Sequence, residues 1–176
     1  APPIRPVVLG AGVRKATVGG ETVLYRHEKT FYNPTTLAAL ITSDTAEADV
    51  TAKLKAWNAL QYERVGLNLR PELVALKDTG GDAAAFGALA KLIAETSEFN
   101  LILMSESPDV LKAGAEACAF KRPLLYAATE STVDVLGALA KEMDLPLAVD
   151  IAREAVAACA KSGYQVSAVV VDRGGA

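Results

Sequence analysis

The chain has 176 residues, 51% of them hydrophobic and 22% charged, with a formal net charge of -3 and a pI near 5.3. That composition suits one domain with a full core, and the lack of a basic stripe argues against a nucleic-acid partner. The sequence contains no apolar run of the roughly eighteen residues a membrane span needs.

The N-terminus, Ala1-Pro2-Pro3-Ile4-Arg5-Pro6, lacks the charged-then-apolar layout of a secretion signal. Val7-Val8-Leu9 then runs into Gly10-Ala11-Gly12. Val13 to Val18 and Glu21 to Arg26 flank Gly19-Gly20, and a Gly-Gly between two β-forming runs signals a hairpin. Residues 1–34 are therefore expected to form a hairpin appendage and lead-in that caps one end of a main domain at 35–176. Phe31-Tyr32-Asn33-Pro34 is extended or a turn, because the residue before proline avoids the helical region.

Leu37 to Thr42 reads as the first strand of that domain. Ser43-Asp44-Thr45 offers caps for a helix over Ala46 to Leu60, with Val50, Leu54 and Trp57 on one face. Five further apolar runs follow, each stopping at a polar residue. They are Leu73 to Leu76 before Lys77-Asp78, Leu101 to Met104 before Ser105-Glu106, and Leu124 to Ala128 before Thr129. Leu147 to Val149 then precedes Asp150, and Ala168 to Val171 precedes Asp172. Helical patterns separate them. Asp82 caps a helix through Ala94 that turns Phe86, Leu89 and Ile93 inward. Ser107 is placed as an N-cap with Pro108 at the first helical position, and Val110, Gly114 and Cys118 form one row. Ser131 with Asp134 resembles a capping box before Leu136, Leu139 and Met143. The last helix spans about Ile151 to Ser162 and stops at Gly163.

Continuous apolar strands are buried on both faces, as in parallel sheets with helical crossovers. Six parallel strands with five intervening helices fit either a doubly wound open sheet or most of a (β/α) barrel. Thr42-Ser43-Asp44 after the first strand is not G-x-G-x-x-G, which weakens the dinucleotide-binding open sheet. The expected class is α/β, a TIM-barrel-like fold with six of eight strands and an N-terminal β-hairpin. Its outer strands, Leu37 to Thr42 and Ala168 to Val171, lack blunting charges and invite pairing with further strands.

Several stretches resemble one family. They are Thr17-Val18-Gly19-Gly20-Glu21-Thr22-Val23-Leu24-Tyr25-Arg26-His27-Glu28-Lys29-Thr30-Phe31-Tyr32-Asn33-Pro34-Thr35, then Tyr62-Glu63-Arg64-Val65-Gly66, Leu101-Ile102-Leu103-Met104-Ser105, and Arg122-Pro123-Leu124-Leu125-Tyr126-Ala127-Ala128-Thr129. Together they resemble the large (gamma) subunit of the corrinoid iron–sulfur protein of the acetyl-CoA (Wood–Ljungdahl) carbon-fixation pathway of anaerobes. The resemblance implies the central TIM-barrel portion of that subunit. It implies a [4Fe–4S] module upstream, a corrinoid domain beyond Ala176, and neither cofactor within this segment. It further implies a scaffold for a protein that carries a methyl group from methyltetrahydrofolate:corrinoid methyltransferase to acetyl-CoA synthase. The small subunit would be its heterodimer partner, and the two enzymes transient ones. The segment need not be catalytic by itself.

Lys77, Asp78, Ser105, Glu106, Thr129, Asp150 and Asp172 should ring the carboxyl end of the sheet, where α/β folds place ligands. Asp150 and Asp172 are the candidates for catalytic carboxylates, and Ser105 and Thr129 for cofactor binding, in the alternative of a pterin-binding methyltransferase-type barrel. The competing role for these groups is to satisfy helix N-termini and loop amides, and it is favoured because position in a fold does not establish function. No metal site is expected. His27 is the one histidine, and with no second ligand spaced near it a hydrogen-bonded role at a hairpin end is preferred to an axial ligand. Cys118 and Cys159 fall in apolar helical rows, which indicates buried thiols in a reduced, cytoplasmic protein. Trp57 is read as core rather than as a partner-facing anchor with Tyr62 and Arg64. Asp172-Arg173-Gly174-Gly175-Ala176 is too weak a signal for a phosphate loop.

Overall fold

A computed structural model describes residues 6–149 except Arg26, His27 and Tyr32. The strands are β1 Val7–Leu9, β2 Ala16–Val18, β3 Glu21–Tyr25, β4 Glu28–Phe31, β5 Ala38–Thr42, β6 Tyr62–Arg64, β7 Leu67–Leu69, β8 Leu73–Lys77, β9 Asn100–Met104, β10 Leu124–Ala128 and β11 Leu147–Val149. The helices are α1 Glu47–Ala59, α2 Ala83–Thr96, α3 Pro108–Cys118 and α4 Val133–Glu142. The last helix and sixth strand expected from the sequence lie outside the described residues.

The apolar runs form one parallel sheet in the order β11-β10-β9-β8-β5. Each strand therefore pairs with the one before it in the chain, and the direction never reverses. Successive right-handed crossovers in one direction lay all their helices on one face. Accordingly a single buried cluster joins Ile41, Leu76, Leu103 and Leu125 of the strands to Val50, Phe86, Leu111 and Leu136 of the four helices. The pairing puts Thr42, Lys77, Met104, Tyr126 and Ala148 level with one another on the opposite face. Below them, also on that face, lie Leu40, Ala75, Ile102 and Leu124. Leu40 remains 55% exposed and Tyr126 41%.

Helices α2 and α3 approach closely because glycines face each other's helix. A Cβ on Gly114 would stand 2.7 Å from Phe86 Cε1, and one on Gly87 3.3 Å from the Ala113 carbonyl oxygen. Trp57 is half-buried and packs against the core, as its spacing indicates. Asp82 caps α2 as expected, its Oδ1 accepting from the Ala84 and Ala85 N–H groups at 2.9 and 3.0 Å.

Two expected caps fall elsewhere, and a third takes the expected place without a side-chain bond. Helix α1 starts at Glu47 with Ala46 as N-cap, because the Ser43 hydroxyl is taken by Thr79. Ser107 sits at the N-cap of α3 but makes no side-chain cap bond, and its own N–H donates to Ser105 Oγ at 3.1 Å. At α4 the N-cap is Thr132 rather than Ser131, and the Thr132 hydroxyl turns back to accept from the Thr129 N–H at 2.9 Å. At α1 and α4 the hydroxyl is spent on a loop partner instead of the first helical turn.

The N-terminal hairpin also differs from expectation. Gly19-Gly20 is not the turn of one hairpin but the link between two, β1 with β2 and β3 with β4, both antiparallel. Val7–Leu9 competes successfully for Ala16–Val18, and Glu28–Phe31 takes Glu21–Tyr25. The β1–β2 hairpin caps the amino end of the sheet. Arg14, 4% exposed, reaches from it to donate to the Pro71 carbonyl at 2.9 Å and to Asn58 Oδ1. Its guanidinium lies 4.5 Å from the centre of the Phe99 ring, and Nε is held only by a 3.6 Å ion pair with Glu98.

A third hairpin, β6–β7, was not anticipated. Its turn residues Val65 and Gly66 have φ of +51° and +73°. Glycine takes this conformation freely and valine does so rarely, so Val-Gly gives a weaker signal than Asn-Gly.

Candidate functional site

The carboxyl end of the sheet is built from the loops after β5, β8, β9 and β10. Backbone bonds continue the ladder past the strands: the N–H of Ser43 donates to Lys77 O, that of Asp78 to Met104 O, and that of Ser105 to Tyr126 O, at 2.8, 2.8 and 3.0 Å. These bonds fix where each polar side chain emerges.

Asp78 and Ser105 come together, with Ser105 Oγ donating to Asp78 Oδ2 at 2.8 Å. Asp78 Oδ1 also accepts from the Gly80 and Gly81 N–H groups at 3.1 and 2.8 Å. The run Asp78-Thr79-Gly80-Gly81 is thus a side-chain-closed turn, a role that Asp followed by glycines signals in sequence. Desolvation pushes the Asp78 carboxyl upward. It is outweighed by the donors from Gly81, Ser105, Gly80 and Thr79, which leave the group below its ordinary value of 3.8. A carboxylate held this way is ionised at neutral pH and is a poor base.

Thr129 is gathered into a separate cluster, its hydroxyl 3.0 Å from Ser131 Oγ and 3.1 Å from Thr132 Oγ1. Ser43 and Thr79 make a third pair at 3.1 Å. The ring of candidates is thus divided into small self-satisfied groups, as far as Ser105 and Thr129 are concerned. Asp150 and Asp172 lie outside the described residues, as do His27 and Cys159. Glu106 and Lys77 are exposed at the same end.

The stabilising role of the Asp78 turn is testable. Asp78→Asn is expected to lower unfolding stability at neutral pH by about 1–2 kcal/mol, the size of a lost charge-assisted hydrogen bond. Because folding depresses this carboxyl, its contribution is fully present above pH 3.8 and is lost as the pH falls below that value. Urea titrations at neutral pH and near pH 3 should therefore show the wild-type advantage shrinking in acid. An advantage that grows in acid would contradict the assignment.

Among the described residues no group of three His, Cys, Asp or Glu side chains is placed to hold a metal ion. A [4Fe–4S] cluster takes four thiolates, and the whole sequence has two cysteines. Cys118 is buried in α3, where burial pushes its thiol up to about 12 and its Sγ lies 3.1 Å from the Gly114 carbonyl oxygen. These residues do not fit such a cluster. No described helix is long and apolar enough to cross a membrane.

Comparison with known proteins gives a consistent result. Residues 6–172 match the family profile described as CO dehydrogenase/acetyl-CoA synthase delta subunit. The chain is 42% identical over 149 residues to the corrinoid/iron-sulfur protein large subunit of Moorella thermoacetica, covering 85% of this chain and 33% of that protein. It is 39% identical over 149 residues to acetyl-CoA decarbonylase/synthase complex subunit gamma 2 of Methanosarcina mazei, covering 85% and 32%. It is 36% identical over 148 residues to the corresponding gamma subunit of Methanopyrus kandleri, covering 84% and 32%. The chain spans about a third of the length of these relatives. With nearly all of its length matched, the chain belongs to the CO dehydrogenase/acetyl-CoA synthase delta subunit family, which bears out its resemblance to the large subunit of the corrinoid iron–sulfur protein.

Proposed function

We propose that this segment is the central barrel of a corrinoid iron–sulfur protein large subunit and acts as a scaffold for methyl transfer. In this reading the complete subunit carries a methyl group from a methyltetrahydrofolate:corrinoid methyltransferase to acetyl-CoA synthase. The relatives' names supply the corrinoid and iron–sulfur character and the membership of a complex. The barrel positions the cofactor-bearing modules and pairs with the small subunit. Corrinoid and [4Fe–4S] cluster belong to other parts of the subunit.

The observation that carries the reading is the 42% identity over 149 residues to a corrinoid/iron-sulfur protein large subunit. The strand order supports the barrel itself. A doubly wound sheet reverses direction at a switch point, whereas these five strands run in sequence with their helices on one face. Curling into a cylinder would bury the lower level of the second face, where Leu40, Ile102 and Leu124 stand, and leave the level of Met104 at the open carboxyl-end mouth. The scaffold role draws support from the carboxyl-end groups, since Asp78, Ser105 and Thr129 are spent on their own loops.

The test is titration calorimetry with methyltetrahydrofolate, with and without the small subunit. The scaffold should give no saturable heat with the folate alone and should bind the small subunit. Replacing both Asp150 and Asp172 by alanine in the intact complex should leave the methyl-transfer rate unchanged. Saturable folate binding that the double replacement abolishes would instead establish a pterin-binding catalytic barrel.

A further inference from the structure

We propose that Lys77 and Tyr126 form a carboxylate-binding site at the carboxyl end of the sheet, on the face turned away from the helices. The two residues occupy the same level, joined through register: Lys77 pairs with Met104 and Met104 with Tyr126. Parallel strands stand about 4.8 Å apart, so the two backbones are separated by roughly 10 Å, a gap that a lysine stem and a tyrosine ring can close from both sides.

Lys77 is exposed and its ammonium has no hydrogen bond or ion pair among the described residues, and the same holds for the Tyr126 phenol, in a residue 41% exposed. The adjacent carboxylate that would otherwise neutralise the lysine is Asp78. It is committed to Ser105 and to the Gly80 and Gly81 amides. The strand pleat also sends Asp78 and Lys77 to different sides. The cation is thus left over by the internal pairing of this end.

The floor between the two donors is apolar. Met104 lies level with them, and Ala75, Ile102 and Leu124 lie one layer below on the same face. An ammonium and a phenol hydroxyl supply one donor for each oxygen of a carboxylate. An apolar floor favours a carboxylate attached to a hydrocarbon or aromatic body over a bare inorganic anion. A free organic acid and an acidic side chain presented by the small subunit share this chemistry. The site is independent of the scaffold proposal, since a scaffold and a catalytic barrel would both retain it.

The experiment follows 4-fluorobenzoate by fluorine NMR on the full-length subunit. Wild type should bind it saturably, with acetate competing more weakly than benzoate. Lys77→Gln should weaken binding by about tenfold, as expected for loss of one charge-assisted contact. Lys77→Arg should stay within about threefold of wild type because the charge is kept, and Tyr126→Phe should lose about threefold. Lys77 is exposed, and unchanged circular dichroism of each variant reports an intact fold. If the small subunit displaces the probe from wild type, the natural carboxylate is one of its side chains. If the probe survives complex formation, the natural ligand is a free acid. Equal affinity of wild type and Lys77→Gln, or no saturable binding to wild type, overturns the site.

Discussion

Replacing Phe86 with alanine is expected to lower the unfolding free energy by about 3–5 kcal/mol, the range for deleting a fully buried aromatic side chain. Phe86 is 0% exposed and fills the space between α2, α3 and β9. Its ring edge lies against the bare Cα of Gly114, where a Cβ would come within 2.7 Å of Cε1 and 3.1 Å of Leu103 Cδ1. The void would be hard to collapse, because α2 and α3 are already in close contact at Gly87 and Ala113. Phe86→Leu keeps most of the volume and should cost less. Lys91→Ala, on the exposed side of the same helix, should change stability by no more than about 0.5 kcal/mol, as is usual for a surface ion pair. That pair with Glu95 is 3.8 Å long, with both side chains more than half exposed. Denaturant titration of the three variants checks the ranking. A Phe86→Ala cost no larger than that of Lys91→Ala would mean that α2 and α3 do not pack as described.

Gly10→Ala should be nearly as damaging, by a different route. Gly10 has φ of +77°, a conformation that costs an L-residue about 1–2 kcal/mol. A Cβ there would also overlap Cβ, Cγ and Nδ2 of Asn100. Asn100 cannot retreat easily. It is fully buried at the first position of β9, and its Oδ1 accepts the Ala11 N–H at 3.1 Å. Overpacking of this kind adds about 1–3 kcal/mol, so a total of about 2–5 kcal/mol is expected. The loss should be concentrated in the amino-end cap, where hydrogen exchange in β1 and β2 would accelerate first. Asn100→Ala removes two of the three overlapping atoms. In that background Gly10→Ala should cost less than it does alone. Simple additivity of the two replacements would show that the overlap contributes nothing.

The candidate site shows which parts of the molecule were legible in sequence. Asp78 and Ser105 were identified as strand-end residues because each follows an apolar run, a pattern contained within a few positions. Their mutual hydrogen bond was not legible, since it joins residues 27 apart whose strands must first be placed side by side. The Ser43–Thr79 pair, 36 residues apart, removed an expected helix cap for the same reason. By contrast the Asp82 cap is legible in sequence because its partners are two and three residues away. Lys77 looked like one more member of a polar ring. Only the pleat and register show that it shares a face with Tyr126 and not with Asp78.

By itself the sequence determined the five described strands of the parallel sheet, the inward faces of the helices, the α/β class and the family. Each of these rests on periodicity or on contiguous motifs, which are properties of a short window. Tertiary structure decided the unreversed strand order, the pairing of the amino-terminal segments into two hairpins instead of one, and the partners of the hydroxyls. Gly10 makes the reason plain: its positive φ is a local preference of glycine, but the need for glycine comes from Asn100 arriving beside it from 90 positions along the chain, by way of an Ala11–Asn100 bond spanning 89. Such choices depend on which of several chemically equivalent partners the packed chain brings within reach, and no local pattern carries that information.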